Sequence, residues 1–405
     1  MIVEFGASPS VALSRGADGV LRYGDLNPAL TELLDLRVHA FGNREAVVEV
    51  GGDRLTYREL WHAASRIAGG LQQHGIGYGD RVAVALPAGI EWVKAFLGAL
   101  LSGAVPVLVP AGLSAALTAR VIADSSADFV LGGHLPDGTP YIDDGAGLDE
   151  LALLCYTGAT PKGVELTNEN LLSAISSMIG ALDLPGDGLR NLVLLPLAHA
   201  SGCVDQLLPT FAVGGTVVLL RDPSQLPEAL RTERIDTISA TPRILATLLK
   251  AIGNSGGGDS VRRISKACHR SERAAATVPS VAVGLRRAFP AARQWSVWGA
   301  TETSGIGLAV DDTELVEPAS ALGFAFGGTE LALSGPHADQ GDGELLCRGP
   351  NVSRRYWNDP DASVARFSGT WFHTGNAVRI DANGLVRCAI SEQDRSANNS
   401  DQSVA

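Results

Sequence analysis

Short apolar runs rich in β-branched residues alternate with amphipathic helical patterns through most of the chain, and that alternation restricts it to a layered α/β sheet. Residues 45–50, 81–86, 105–109 and 129–131 read as strands. Helices are expected over 56–74, opened by a good N-cap at Thr56, and over 91–101. The middle repeats the theme, with strands at 191–195, 216–220 and 237–239 and helices near 171–181, 223–233 and 242–251. Past Trp298, glycines and short alternating runs at 330–333 and 344–348 predict a small β-rich subdomain. The expected division is an amino-terminal α/β subdomain over 1–165, a second over 166–315, the β-rich subdomain over 316–394 and a disordered tail over 395–405. Ligands in such folds gather at loops that follow strand ends.

One stretch tests that reading. Residues 95–118 carry no charge, which is long enough to cross a bilayer. Pro106 and Pro110 break any single helix there, and Gly98, Gly103 and Gly112 favour helix, turn and buried strand, so no membrane span is expected. Acidic residues outnumber basic ones by 44 to 32, a net charge of −12 that repels polyanions and argues against nucleic-acid binding. Any phosphate ligand must be held by local geometry. Five cysteines are scattered singly, without zinc spacing or a disulfide framework, and the first residues lack a signal-peptide pattern, so a cytoplasmic location is expected.

Three segments carry candidate chemistry. Tyr156-Thr157-Gly158-Ala159-Thr160-Pro161-Lys162-Gly163 links an apolar run to a helix beginning near Thr167. It offers backbone N–H groups, hydroxyls and one cation to a phosphate, or it is a plain turn with a surface lysine. It is no Walker A loop, because neither Ser nor Thr follows the lysine. Leu195-Pro196-Leu197-Ala198-His199-Ala200-Ser201-Gly202 sets one imidazole among small residues, as a reactive group or as a hydrogen-bonded core or cap residue. Trp298-Gly299-Ala300-Thr301-Glu302 ends a strand and supplies an aromatic face, a hydroxyl and a carboxylate. These suit Mg²⁺ on a nucleotide phosphate, or a helix-capping Thr-Glu pair.

The order of these segments resembles the superfamily of acyl-CoA synthetases, firefly luciferase and peptide-synthetase adenylation domains. Leu55-Thr56-Tyr57-Arg58-Glu59-Leu60, Gly75-Ile76-Gly77-Tyr78-Gly79-Asp80-Arg81-Val82 and Ser102-Gly103-Ala104-Val105-Pro106 are similar to its early signatures. Gly343-Glu344-Leu345-Leu346-Cys347-Arg348-Gly349-Pro350, Tyr356-Trp357-Asn358-Asp359-Pro360 and Gly369-Thr370-Trp371-Phe372-His373-Thr374-Gly375 are similar to its late ones. The resemblance implies ATP and Mg²⁺ as cofactors and a carboxylic acid as substrate. It implies an acyl-adenylate as product and CoA or an acyl carrier protein as acceptor. It assigns Thr157, Gly158, Thr160, Lys162 and Gly163 to the phosphate loop, Ala267, Trp298 and Gly299 to the adenine site, and Asn376 to the ribose. Thr301 and Glu302 would serve the phosphates and the metal, and His199 would lie by the acyl pocket.

Departures from the family pattern are as informative. The loop is shorter than the usual Tyr-Thr-Ser-Gly-Thr-Thr-Gly-x-Pro-Lys-Gly, so fewer N–H groups reach the phosphates. Lys266 stands where the adenine wall is normally small, and Asn376 replaces the ribose-binding Asp, exchanging a charge-assisted bond for a weaker neutral one. Ile390-Ser391 replaces a Gly-Arg pair. Asp394 aligns with the family's hinge, so the smaller carboxy-terminal domain is expected to be absent, with a partner protein supplying it. Two functions follow: an AMP-forming acid ligase of weak or partner-dependent activity, acting on a fatty or aryl acid, or a homologue that binds a ligand or partner after its ATP chemistry has decayed.

Overall fold

A computed structural model describes residues 2–5, 13–157, 161–253, 260–269, 279–312 and 321–389. The expected tail, with Ile390, Ser391 and Asp394, lies outside the described residues, as do Gly158 and Thr160.

Two sheets carry the α/β part. The smaller runs in the order Gly163–Thr167, Leu151–Tyr156, Val105–Leu108, Arg81–Val84, Phe129–Leu131, parallel except for its first pair. The larger has a parallel core ordered Glu45–Glu49, Thr216–Leu219, Arg190–Val193, Thr237–Ala240, Arg263–His269, Arg293–Gly299. Beyond Arg293–Gly299 it turns antiparallel through Leu308–Asp311 and Ala321–Ala325. It then continues through Val386–Cys388, Trp371–Ile380, Asp342–Arg348 and Glu330–Ser334 to Ile2–Phe5, which makes the expected β-rich unit an extension of the same sheet. Val47, Val48, Val217 and Val218 are fully buried, as continuous apolar strands must be in a parallel sheet covered on both faces.

Helices Tyr57–Gln73, Ile90–Leu101 and Asn168–Ala181 share one core with both sheets, in which Leu71, Phe96, Leu153, Leu171, Val217 and Trp295 meet. Thr56 caps the first of these helices in a capping box, its side chain accepting from the Glu59 N–H while Glu59 accepts from the Thr56 N–H at 2.8 Å. The uncharged stretch resolves as expected into the helix Ile90–Leu101, a turn at Gly103 and the buried strand Val105–Leu108. Among the described residues no helix is long and apolar enough to cross a membrane.

Two arrangements differ from the sequence reading. Residues 45–56, assigned there to the first unit, pair with the sheet of the second, Val47 lying opposite Val217. The segment after Lys162 enters a strand before its helix. Buried Val164 and Leu166 alternate with half-buried Glu165 and Thr167, and Gly163 lies opposite Tyr156. The candidate phosphate loop is therefore the connection of a β-hairpin, and the N-terminus of helix Asn168–Ala181 lies a strand's length away from it.

Candidate active site

The strand Arg293–Gly299 ends in a tight turn that carries Glu302. Residues Thr301–Thr303 form one 3₁₀ turn, Ser304 adopts a left-handed φ of 57°, and Gly305 follows at 88° with its N–H on the Ala300 carbonyl at 2.8 Å. The turn closes onto Gly299 so tightly that a Cβ there would lie 1.8 Å from the Gly305 carbonyl oxygen. A second segment straps it down. Asn351 Nδ2 donates to the Thr303 and Ile306 carbonyls at 3.1 Å, Ser304 Oγ donates to the Asn351 carbonyl at 2.7 Å, and the Ser353 N–H donates to the Glu302 carbonyl at 2.8 Å. Glu302 is thereby held with only 4% of its surface exposed, and its Oε1 accepts the Tyr356 hydroxyl at 2.6 Å.

Tyr356 also meets the hairpin loop. It bridges to Val164, and the Trp357 N–H donates to the Gly163 carbonyl at 2.7 Å. The loop closes on itself, the Thr157 N–H donating to the Lys162 carbonyl at 3.0 Å and the Lys162 N–H to Thr157 Oγ1 at 3.1 Å. Lys162 Nζ stands 5.3 Å from the centre of the Tyr356 ring and donates to Asp359 Oδ2 at 3.1 Å. The Ala362 N–H, and then Lys162, hold the Asp359 carboxyl below its ordinary range. One tyrosine thus joins the two expected charged residues, Lys162 on its face and Glu302 on its hydroxyl. Tyr356 and Asp359 were not singled out for chemistry in the sequence. The only signal was their place in a late motif, nearly two hundred residues from Lys162.

His199 precedes the short helix Ala200–Gly202, which runs into a π-helical turn, Cys203–Leu207. Burial lowers its pKa and favours the neutral imidazole. Cys155 lies between this region and the Glu302 turn. The Ala200 N–H donates to its sulfur, the Asp205 and Glu302 charges act on it, and burial, the largest cause, pushes the thiol up to about 12. Asp205 is buried at 5% exposure, and that burial raises its pKa well above the carboxylate range. A group raised in the folded state contributes stability below its unfolded value near 3.9 and loses it as pH rises toward the folded value. An Asp205→Leu variant, matched in branching, should therefore unfold at higher urea than the parent at pH 7, with the gain shrinking toward pH 4. Urea midpoints at the two pH values check this.

Other expected residues do not join the cluster. Trp298 is 1% exposed and packs with Leu308 and Leu322, its ring against Gly307. It offers no open face to adenine, because the antiparallel extension of the sheet covers that side of its strand. Ala267 sits in the strand Arg263–His269 opposite Val297. Asn376 is half-buried in Trp371–Ile380, with its N–H on Thr374 Oγ1 at 3.1 Å. Thr301 is half-buried beside Glu302. Among the described residues, no group of three His, Cys, Asp or Glu side chains is placed to hold a metal.

Removing the Tyr356 hydroxyl leaves Glu302 with one hydrogen bond fewer in a buried setting. Tyr356→Phe should cost about 1–3 kcal/mol of stability, measured by urea unfolding, and an unchanged midpoint would contradict the contact.

The sequence matches the family described as AMP-binding enzyme over residues 34–144 and 134–357. It is 29% identical over 377 residues to a feruloyl-CoA synthase of an Amycolatopsis species, covering 83% of this chain and 73% of that one. It is 26% identical to a long-chain-fatty-acid–CoA ligase of Mycobacterium tuberculosis over 390 residues, covering 84% and 74%. Among solved structures, the N-terminal domain of FACL13 from Mycobacterium tuberculosis superimposes with a TM-score of 0.80 at 23% identity, covering 90% of this chain and 100% of that one.

Proposed function

The chain belongs to the family of AMP-binding enzymes, and on that footing we propose that it is an AMP-forming acid ligase. It activates a fatty or aryl carboxylic acid with Mg·ATP to an acyl-adenylate and passes the acyl group to a thiol such as CoA or a carrier protein. The observation that carries this reading is the convergence of Lys162 and Glu302 on Tyr356.

The residues fit a phosphate and one divalent cation. Glu302 is a buried carboxylate, costly to keep without a countercharge, and Mg²⁺ needs few protein oxygens because it keeps water and phosphate ligands. The Tyr356 hydroxyl occupies one side of that carboxylate and fixes its orientation, as a hydrogen bond to a metal ligand does. Lys162 holds a phosphate oxygen once it leaves Asp359, a half-exposed ion pair worth little in water and easily exchanged. The Thr157 hydroxyl, which accepts the Lys162 N–H, adds a neutral donor. Mg·ATP, when bound, supplies the adenylyl group: the acid's oxygen bonds to the α-phosphorus as the bridge to pyrophosphate breaks. Lys162 and the Glu302-held charge oppose the negative charge that grows there, the effect on which such catalysis chiefly depends.

A second reading, a protein that binds an acid or a partner without ATP chemistry, is favoured by the closure of Trp298. Calorimetric titration of the full chain with Mg·ATP separates the two. Binding with a dissociation constant of about 1 mM or tighter supports the ligase, and no heat at millimolar nucleotide selects the second reading.

A further inference from the structure

A second cluster of reactive groups lies on the antiparallel extension of the large sheet. The strands Phe367–Ser368 and Trp371–Ile380 form a tight hairpin, Ser368 opposite Trp371, closed by Gly369 and Thr370. Gly369 adopts the positive φ, 60°, that a two-residue hairpin turn needs at its first position. The hairpin brings Ser368 back onto His373, Oγ meeting Nε2 at 3.1 Å. The other ring nitrogen, Nδ1, lies 3.1 Å from Oε2 of Glu344 in the neighbouring strand Asp342–Arg348. Glu344 is itself aimed. Leu346 pairs with His373 and Glu344 with Ala377, two steps along one strand against four along the other, and the surplus includes Gly375 at a φ of 71°. The Gly375 N–H donates to Glu344 Oε1 at 2.8 Å. A carboxylate only accepts, so Glu344 keeps the imidazole proton on Nδ1, and the Nε2 lone pair is left facing the Ser368 hydroxyl.

Hydroxyl, imidazole and carboxylate thus stand in the order of an acyl-transfer triad, an arrangement defined by geometry and roles rather than by sequence position. Ser368 is exposed while His373 and Glu344 are half-buried, so an acyl group reaches the hydroxyl from solvent and the base stays oriented. Among the described residues the Gly369 and Thr370 N–H groups find no acceptor. The N–H that follows a nucleophile is a donor that such sites use for the oxyanion. None of the three side chains takes part in the cluster around Lys162 and Glu302.

We propose that Ser368, His373 and Glu344 form a second catalytic site, a serine hydrolase for small activated acyl esters and thioesters. Ser368 Oγ bonds the acyl carbon as its proton passes to His373 Nε2. The bond to the leaving oxygen or sulfur then breaks, and the leaving group takes that proton. A water molecule, giving a proton to His373, cleaves the acyl-serine; the acid departs and the proton returns to Ser368 Oγ. Glu344 is a positioning residue that holds the ring and opposes the positive charge forming on it. Water is the one co-reactant, so this activity does not depend on the acid-ligase reading.

Two probes test it on the full chain without nucleotide: diisopropyl fluorophosphate, with the labelled residue located by peptide mass spectrometry, and 4-nitrophenyl acetate for turnover. Ser368 should carry the label. Turnover should fall about a hundredfold in Ser368→Ala and in His373→Gln while their urea midpoints hold. Glu344→Gln, in which the amide oxygen still accepts the Gly375 N–H, should lower kcat and leave KM in place, and Glu344→Asp should recover part of the loss. Absence of label on Ser368, labelling undiminished in His373→Gln, or turnover in Ser368→Ala equal to the parent's overturns the proposal and leaves the contacts as a structural clamp. Hydrolysis without pyrophosphate exchange keeps this site and sinks the ligase reading, and exchange without hydrolysis does the reverse.

Discussion

Gly299→Ala is expected to unfold the site as well as to weaken the fold. The new Cβ would lie 1.8 Å from the Gly305 carbonyl oxygen, 2.1 Å from its carbon and 2.5 Å from the Ile306 nitrogen. All three are backbone atoms, so no rotamer change relieves the clash, and the turn 300–305 must move as a body. It cannot move freely, because Asn351 holds the Thr303 and Ile306 carbonyls and Ser353 holds that of Glu302. The conflict resembles overpacking in a filled core and should cost about 3 kcal/mol or more. The same displacement shifts Glu302 relative to Lys162, and shifts of about 1 Å in such groups cost about a hundredfold in rate. Urea unfolding and pyrophosphate exchange read the two losses. A variant with an unchanged midpoint and unchanged exchange would refute the close packing of the turn.

Glu302→Gln is expected to lower carboxylate-dependent exchange by about 10²–10³-fold while the protein stays folded. Glutamine keeps the length and shape of the side chain, and its amide oxygen still accepts the Tyr356 hydroxyl that Glu302 accepts at 2.6 Å. What disappears is the negative charge that a divalent cation needs. The midpoint in urea should therefore stay within about 1 kcal/mol of the parent, since a buried carboxylate exchanged for a neutral isostere loses a charge that was costly to bury. Raising Mg²⁺ should recover only part of the rate. Unchanged exchange in this variant would remove Glu302 from the metal site.

What the sequence disclosed and what it hid divide along the range of the interactions involved. The helix Tyr57–Gln73 was readable within a few residues because its start is encoded locally, by Thr56 and Glu59. The strands Val105–Leu108 and Phe129–Leu131 were readable as short apolar runs between turn residues. Pairing was harder. Nothing near residue 47 reveals that its strand neighbour is residue 217, so Glu45–Glu49 was grouped with the first unit although it pairs in the sheet of the second. The hairpin after Tyr156 was hidden because the five residues Gly163–Thr167 run without a break into a helix that Thr167 caps.

The site followed the same rule. Lys162 and Glu302 were singled out from their own segments, but the tyrosine that joins them lies in a third segment and is visible only once the chain is folded. The resemblance set Trp298 against adenine, yet the antiparallel strand Leu308–Asp311 pairs beside it and its ring is buried. Asp205 carries no local signal of its burial: the π-helical turn takes it inward.

The central claim is that Lys162 and Glu302 form a working adenylation site on this chain. Its most direct test is carboxylate-dependent exchange of labelled pyrophosphate into ATP, run with the full chain and Mg²⁺ across fatty, aryl and hydroxyaryl acids. The account predicts exchange with at least one acid, abolished by chelation of Mg²⁺ and by Glu302→Gln. No exchange with any acid, from protein that binds those acids and is fully folded, would contradict it.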